Sequence, residues 1–434
     1  MDVHAANLDV MQPAMPAAPR LPRPALAAVA AEVLHAAVSA FGLKGAAALS
    51  LAVFLYLFLE EILLGLRLWS IPAGAAETGT SLSLTLITGA FAGRRLMRPM
   101  LRRRPKPEEL ARACQIVETQ TQASAGLVRL GDKQVLFSDS GDAFIMYACK
   151  GRSCIALFDP VGPRDAWQDL VVKFMAHARR SGYRPVFYQV SPDFLPIAAE
   201  AGLRPYKLGE QATVDLTRFD MRGGDWLKLR RSINRAERDG LQFELIPKDR
   251  VPAHMSELRQ VSDAWLAAHN AAEKGFSLGT FRPDYVASGN VAVIRIEGRI
   301  AAFASLLSGC EKAEAFIDLM RHVPSTHRGM MDLLFVRIME HLKADGFGVL
   351  NLGMAPLSGL ATHRRAPLWN RIGRHIFETG ERYYNFKGVR AFKSKFDPDW
   401  QPRYLAVAGN GLPFSSACDV TMLIGGGLKG ILRK

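Results

Sequence analysis

The chain is predicted to be an α/β protein in which two successive α/β units are joined by a basic helix and preceded by a short transmembrane hairpin. Three observations predict it. Apolar runs between residues 45 and 100 are long enough for two membrane helices. Strand-like runs alternate with amphipathic helices from residue 108 onward, and the same layout returns after a cationic segment at 225–240. A chain of 434 residues exceeds what one core serves, so two or three domains are expected. The formal charge of +14 accompanies a hydrophobic content of 49%. That pairing points to a membrane-associated protein with anionic partners, acidic head groups or nucleic acid, rather than to a soluble nucleic-acid module.

Residues 1–44 are expected to be a disordered or amphipathic lead, its first two dozen residues rich in Ala, Pro and Met and without apolar periodicity. The hairpin spans 45–100. Its first run, Gly45 to Trp69, can cross a hydrocarbon core of roughly 30 Å at about 1.5 Å per residue. Glu60 and Glu61 must then lie near an interface or face another helix. The second run, Ser81 to Met100, is interrupted by Arg94 and Arg95, which can snorkel to head groups. Ala73, Gly74 and Ala75 resemble a signal-peptide cleavage site, but more than forty residues precede the apolar run. Arg98, Arg102, Arg103, Arg104 and Lys106 crowd the exit and make 101–107 a basic linker, whereas Ser70 to Thr80 carries no Lys or Arg. The positive-inside rule puts everything after residue 100 in the cytoplasm, and Arg20 and Arg23 agree. A pair of buried helices in a soluble domain is the alternative.

The first α/β unit, 108–222, reads as strands VLFSDSGDAFIMYAC and SCIALFDPVG, helix AWQDLVVKFMAHARRSG ended by Gly182, strand RPVFYQVS, short helix FLPIAAEAG and strand QATVDL. The connecting segment 223–242 contains DWLKLRRSINRAERDG, a helix whose Lys228, Arg230, Arg231, Arg235 and Arg238 make most of its surface. Such a helix can neutralise several phosphates, or it can simply be solvated. The second unit, 243–408, repeats helix MSELRQVSDAWLAAHN, strands VAVIRIEG, IAAFASLLSG and AEAFIDLMR, helix MMDLLFVRIMEHLKADG and strand VLNLGM. The tail 409–434 is apolar with a cationic end, suited to an interfacial segment or to packing on the second unit. Five scattered cysteines, Cys114, Cys149, Cys154, Cys310 and Cys418, have no CxxC pair or metal spacing and read as reduced structural thiols.

Chemistry is expected in the second unit. Between residues 383 and 404, Lys387, Arg390, Lys393, Lys395 and Arg403 alternate with Tyr383, Tyr384, Phe386, Phe392, Phe396, Trp400 and Tyr404. Rings can pack inward there while cations face phosphate or carboxylate, unless the stretch is an amphipathic helix with a solvated basic face. Strand AEAFIDLMRH leads through VPSTHRG into a helix near Met330, and a helix N-terminus after a glycine loop is an anion site. Acetyltransferases of the GNAT type seat coenzyme A pyrophosphate on such a loop, patterned R-x-x-G-x-G. Here only Arg328 and Gly329 match, and Met330 and Met331 stand where a second glycine would allow close approach. The architecture resembles GNAT while coenzyme A binding is not supported. Asp318 and Arg321 flank the loop; residues three apart on a strand face opposite ways, so one must be turned by a bend before both serve one pocket. A structural ion pair is the alternative. FSLGTF, preceded by Glu273 and Lys274, reads as a loop over a cavity, and LGMAPLSGL as another. No Ser-His-Asp order, HExxH, Walker loop or metal site is present; His327 and His363 read as loop residues.

FSLGTF, DLMRH, RGMMDLLF, NLGMAPLSGL and YNFKGVRAFKSKFDPDWQPRYLA resemble the C-terminal synthase domain of the phosphatidylglycerol lysyltransferases, the multiple peptide resistance factor family. The resemblance runs from about residue 108 to the end. It implies tandem GNAT-like acyltransferase domains and transfer of an aminoacyl group, lysyl or else alanyl, from aminoacyl-tRNA to the glycerol hydroxyl of phosphatidylglycerol. Such a transfer weakens binding of cationic antimicrobial peptides. Aminoacyl-tRNA is then co-substrate and no separate cofactor is expected. The resemblance places Asp318, Arg321 and Lys393 in the active site, Asp318 on the ammonium or hydroxyl and the two cations on phosphate and oxyanion. Glu273, Phe276, Tyr384, Lys387 and Arg328 are implied as substrate-binding. It also implies the bacterial inner membrane as location. Full-length members carry a many-helix flippase domain, and with only two spans visible here a separate flippase is expected. Other enzymes of this fold use coenzyme A or build peptidoglycan bridges; a non-catalytic module binding RNA or acidic lipid is the remaining alternative.

Overall fold

Residues 203–215 and 399–408 are the closing strands of two similar halves, and each pairs inside the half it does not belong to. The computed structural model describes residues 104–269, 272–324, 327–361, 363, 367–379, 386–409 and 413–425. The lead, the hairpin expected over 45–100 and Tyr384 lie outside the described residues. Among the described residues no helix is long and apolar enough to cross a membrane.

The first half runs α1 (Pro107–Glu118), a 3-10 turn (Ala123–Leu130), β1 (Gln134–Phe137), β2 (Phe144–Lys150), β3 (Ser153–Leu157), α2 (Trp167–Arg180), β4 (Arg184–Val190), α3 (Leu195–Glu200) and β5 (Leu203–Asp215). The second begins with α4 (Leu227–Arg238), β6 (Gln242–Ile246), α5 (Met255–Ala268), the short α6 (Pro283–Val286), β7 (Asn290–Ile296), β8 (Arg299–Ser308) and β9 (Glu314–His322). It continues with α7 (Met330–Ala344), β10 (Val349–Pro356), α8 (Leu368–Thr379), α9 (Phe386–Ser394), β11 (Asp399–Ala408) and α10 (Phe414–Ile424).

Local sequence explains the main elements. Trp167, Leu170, Val171, Phe174, Met175 and Ala178 recur at helical spacing and make one buried stripe of α2. His177, Arg179 and Arg180 favour its C-terminal dipole end. Strand β8 is a near-continuous apolar run because it is buried on both faces between β7 and β9. Helix α4 turns Leu229, Ile233 and Ala236 into the core beside Leu333, Leu334 and Phe335 of α7, which leaves its cationic side outward.

All strands form one sheet in the order β1-β2-β3-β4-β11-β5-β10-β9-β8-β7-β6. Two crossovers, β3–α2–β4 and β9–α7–β10, are parallel; the other pairings are antiparallel. Strand β5 pairs with β10 and β11 with β4, while β5 and β11 run against each other at the centre. The halves are therefore interlocked by main-chain hydrogen bonds and share a core in which Leu127, Tyr188 and Leu405 meet Phe276, Leu307 and Phe316.

Two expectations become specific. Within the aromatic and cationic stretch 383–404, the described residues from Phe386 onward form a helix followed by a strand, and several of its cations face partners within the protein. Arg390 meets Glu210 at 2.5 Å and lies 4.3 Å over the Trp400 ring, Lys395 meets Asp332 at 2.8 Å, and buried Arg403 donates to Gln211 at 3.0 Å. The tail helix α10 packs on both halves: the Gly275 amide donates to the Ile424 carbonyl at 3.1 Å and the Phe414 ring lies 5.9 Å from the Trp369 ring, Gly275 and Trp369 both belonging to the second half. Asp419 accepts from Ser153 Oγ at 2.7 Å and from the Arg152 amide at 3.1 Å, and Val420 joins the shared core.

Candidate active site

Strands β9 and β10 are paired only from Glu314 to Phe316 and from Val349 to Asn351. Beyond that point β10 stays paired with β5 and β9 with β8 but not with each other, so the sheet opens between them. Each arm of the opening carries a bulge. On β9, Met320 pairs with Ala304 and Ile317 with Leu306, so Asp318 and Leu319 together stand opposite Ser305. The extra residue resets the alternation of the strand. Phe316 faces the shared core, and after the bulge Leu319 faces the cluster under α5 on that same side, with Arg321 two residues on. Asp318 and Arg321 are thus brought to one face, by the bend their spacing required. Buried Ser305 accepts the Leu319 amide at 3.0 Å and fixes the bulge. On β10, Leu352 and Gly353 oppose Ala212 alone, and Gly353 takes a positive φ of 79° that favours glycine.

Asp318 is held by neutral donors. Its Oδ1 accepts the Gly279 amide at 2.9 Å and its Oδ2 the Tyr285 hydroxyl at 2.6 Å. A Cβ on Gly279 would stand 1.9 Å from that Oδ2, so only glycine allows this approach. Burial pushes the Asp318 carboxyl up, against the opposing pull of Tyr285, the Gly279 amide and Lys133. Tyr285 is pushed well above its ordinary value by burial and by the Asp318 carboxylate.

Arg321 is 4% exposed. It donates to Glu273 at 2.7 Å and to Ser262 at 3.1 Å, and lies 5.1 Å over the Trp265 ring. Its guanidinium is thus engaged with Glu273 and α5. Lys393 differs. Its Nζ donates to the Met354 carbonyl at 2.9 Å, and a Cβ on Gly353 would lie 3.7 Å from that Nζ and from the Phe316 ring alike. Burial lowers the Lys393 ammonium from 10.5 to about 7.

The FSLGTF loop covers this side of the sheet. Phe276 adopts a left-handed φ of 63°, a strain of about 1–3 kcal/mol for a non-glycine residue. Its amide donates to Asp132 Oδ2 at 2.9 Å and its buried ring stacks on Tyr188 at 6.4 Å, so Phe276 anchors the loop. Asp132 and Lys133, from the turn before β1, were not singled out by the sequence. A Gly-Asp-Lys run reads as a solvated turn, yet the Lys133 side chain is wholly buried. Gly279, Tyr285 and Ser305 were likewise missed, because their roles depend on a fold-level approach.

The remaining expected residues divide. Arg328 and Lys387 are exposed. At the start of α7, Gly329 approaches Ser232 so closely that a Cβ would stand 2.8 Å from its carbonyl. Asp332 accepts from Ser232 and Lys395, and His327 from the Gly329 amide. Contacts from α4 and α9 thus take up the place expected for an anion. Along α4, Lys228, Arg231, Arg235 and Arg238 are exposed, and the last three line an open groove of about 920 Å³ with Asn234 and Glu237. Arg230 does not belong with them: it donates to the carbonyls of Met221 and Gly223 and closes the preceding loop.

Comparison with known proteins gives the family of the chain. Residues 115–407 match the family described as phosphatidylglycerol lysyltransferase, C-terminal. The phosphatidylglycerol lysyltransferase of Bacillus subtilis is 35% identical over 297 residues, covering 68% of this chain and 34% of that protein. That of Staphylococcus aureus is 34% identical over 280 residues, covering 64% and 33%. The chain thus spans about a third of the length of these curated relatives. A crystal structure of a C-terminal domain from Agrobacterium fabrum, named with the lysylphosphatidylglycerol synthetases, is 52% identical with a TM-score of 0.68, covering 74% of this chain and 99% of that one. The structure of L-PGS from Bacillus licheniformis is 35% identical with a TM-score of 0.65, covering 75% and 99%. The chain belongs to the phosphatidylglycerol lysyltransferase C-terminal family.

Proposed function

We propose that this protein transfers an aminoacyl group, lysyl first and alanyl second, from aminoacyl-tRNA to the glycerol hydroxyl of phosphatidylglycerol. The observation that carries the reading is the β9–β10 opening. A desolvated carboxylate, Asp318, stands on one arm, and a lysine whose ammonium is lowered to about 7, Lys393, reaches the other. We read each half as a GNAT-like unit, supported by the repeated parallel crossovers β3–α2–β4 and β9–α7–β10.

In this reading the lipid hydroxyl attacks the ester carbonyl, forming a C–O bond and a tetrahedral oxyanion, and collapse breaks the bond to the ribose oxygen. The proton lost by the attacking hydroxyl is the one the ribose oxygen needs. A lysine titrating near 7 suits both halves of that exchange, since its neutral amine accepts a proton that its ammonium returns. Asp318 holds the aminoacyl ammonium or orients the hydroxyl. Arg321 acts by fixing Glu273 at the rim. The exposed cations of α4 are suited to the tRNA backbone, and the hairpin expected over 45–100 would keep the opening at the cytoplasmic face of an inner membrane. Moving the product across the bilayer is left to a separate flippase.

The test is mass spectrometry of lipids from cells expressing the full chain, its Asp318→Asn variant or an empty vector. An aminoacyl-phosphatidylglycerol present only with the unaltered chain is expected. Its absence, with folded protein in the membrane, would overturn the reading.

A further inference from the structure

We propose that Cys149 and Cys154 are a reversible modification site, a cross-strand dithiol that a hydroperoxide converts to an internal disulfide within the folded protein and that thiol reductants restore. The site is independent of the transfer reaction.

The backbone brings the two sulfurs together. Strands β2 and β3 are joined by Gly151 and Arg152 alone, and Cys149 stands directly opposite Cys154 in their antiparallel register. Gly151 takes a φ of 56°, the positive value that the first central residue of a type II′ hairpin turn requires. In such a hairpin the pair flanking the turn, Lys150 and Ser153, exchanges both main-chain hydrogen bonds. The next pair out, Cys149 and Cys154, is then of the close kind, with Cα atoms about 4.5 Å apart. A disulfide spans Cα separations of about 4.4–6.8 Å, so this pair can be bridged without moving the strands. Directly opposed residues also point to one face of the sheet. There the Cys149 thiol donates to the Cys154 sulfur at 2.7 Å.

The surroundings hold this pair in place. Cys154 is buried under α2 with Tyr147, Phe174 and Ala178, and Cys149 packs at the edge of the same cluster. The Tyr147 hydroxyl, two residues before Cys149, is hydrogen-bonded to His177 of α2 at 3.0 Å. From the other face Asp419 of α10 grips the turn through Ser153 Oγ and the Arg152 amide. The hairpin is thereby clamped between two helices.

The two thiols differ in access. Cys149 is half-buried, whereas Cys154 is 0% exposed and its thiol is pushed up by burial. Cys149 is therefore the sulfur that a small oxidant reaches first, and Cys154 is the protonated partner that resolves it. The Cys149 thiolate attacks hydrogen peroxide, forming an S–O bond and breaking the O–O bond, and hydroxide leaves with the proton that Cys149 gave up. The Cys154 sulfur then attacks the Cys149 sulfur: the S–S bond forms, the S–O bond breaks, and the departing hydroxide takes the Cys154 proton. Two thiols and one peroxide become one disulfide and two waters, the thiols losing the two electrons that the peroxide gains. Exposure alone would single out Cys418 on α10 instead, the exposed cysteine of the five.

The experiment treats the reduced full chain with hydrogen peroxide, blocks the remaining thiols with an alkylating agent and maps tryptic peptides without reduction. Trypsin cuts after Lys150 and Arg152, between the two cysteines, so their bridge is read as two joined peptides lighter by two hydrogens. That species is expected to form while circular dichroism stays unchanged, to open with dithiothreitol, and to be absent from Cys149→Ser and Cys154→Ser. If Cys154→Ser fails to fold, the map of the unaltered chain and that of Cys149→Ser still decide. A sulfinic or sulfonic Cys149 beside an alkylated Cys154 overturns the proposal, as does a bridge from either to Cys418. A bridge that forms only in urea overturns it too, since the folded register would then not be what joins them. So does the absence of any bridge at peroxide concentrations that oxidise Cys418.

Discussion

Ser305 on β8 stands opposite two residues of β9, and by accepting the Leu319 amide at 3.0 Å it turns Asp318 and Arg321 to the same face. The hydroxyl is buried, so removing it leaves an amide without its acceptor. Ser305→Ala is expected to cost about 1–3 kcal/mol in urea unfolding and to lower turnover more than substrate affinity. Unchanged stability and turnover would mean that the bulge holds without the serine.

Lys393 carries a pH-dependent cost. The folded chain binds its proton less tightly than the unfolded chain, because burial lowers the value from 10.5 to about 7. The ammonium therefore lowers stability fully below about pH 7, and the cost fades as pH rises toward 10.5. Lys393→Met should melt higher than the unaltered chain at pH 6, with the gap closing by pH 10, while product formation is lost. A gap that is constant with pH would show that Lys393 is not buried as a cation.

The interlocked closing strands forbid independent halves. A chain ended after residue 398 lacks β11 and leaves β4 and β5 with unpaired edges at the centre of the sheet. It is expected to aggregate or to lose cooperative unfolding in calorimetry. A soluble product with a sharp transition would contradict the interlock.

Helix α4 separates two kinds of arginine. Charge reversal at Arg231, Arg235 and Arg238, all exposed, should weaken tRNA binding more than tenfold and flatten its salt dependence without altering stability. Arg230→Ala should do the reverse, lowering stability through the carbonyls of Met221 and Gly223 while leaving the salt slope unchanged. Filter binding across a salt series, paired with thermal melts, distinguishes them.

Much of this was legible in the residues. The stripe of α2, the continuous run of β8 and the basic side of α4 follow from local periodicity, and Asp318 with Arg321 stood out by chemistry. What stayed hidden depends on non-local pairing. Nothing in DWQPRYLAVA says that β11 will lie between β4 and β5, and no spacing reveals that Asp318 and Leu319 share one partner. Lys133 was hidden because a turn lysine is ordinarily solvated, and Arg230 because its carbonyl partners are set by the path of the preceding loop.

The most direct measurement is a single-turnover assay with the purified full chain in phosphatidylglycerol bilayers, given tRNA charged with labelled lysine. The label should leave the tRNA and appear in the lipid, and should remain on the tRNA in Asp318→Asn or when phosphatidylethanolamine replaces phosphatidylglycerol. Label that stays on tRNA with the unaltered chain, for lysine and alanine alike, would contradict the assignment of this opening as an aminoacyl-transfer site.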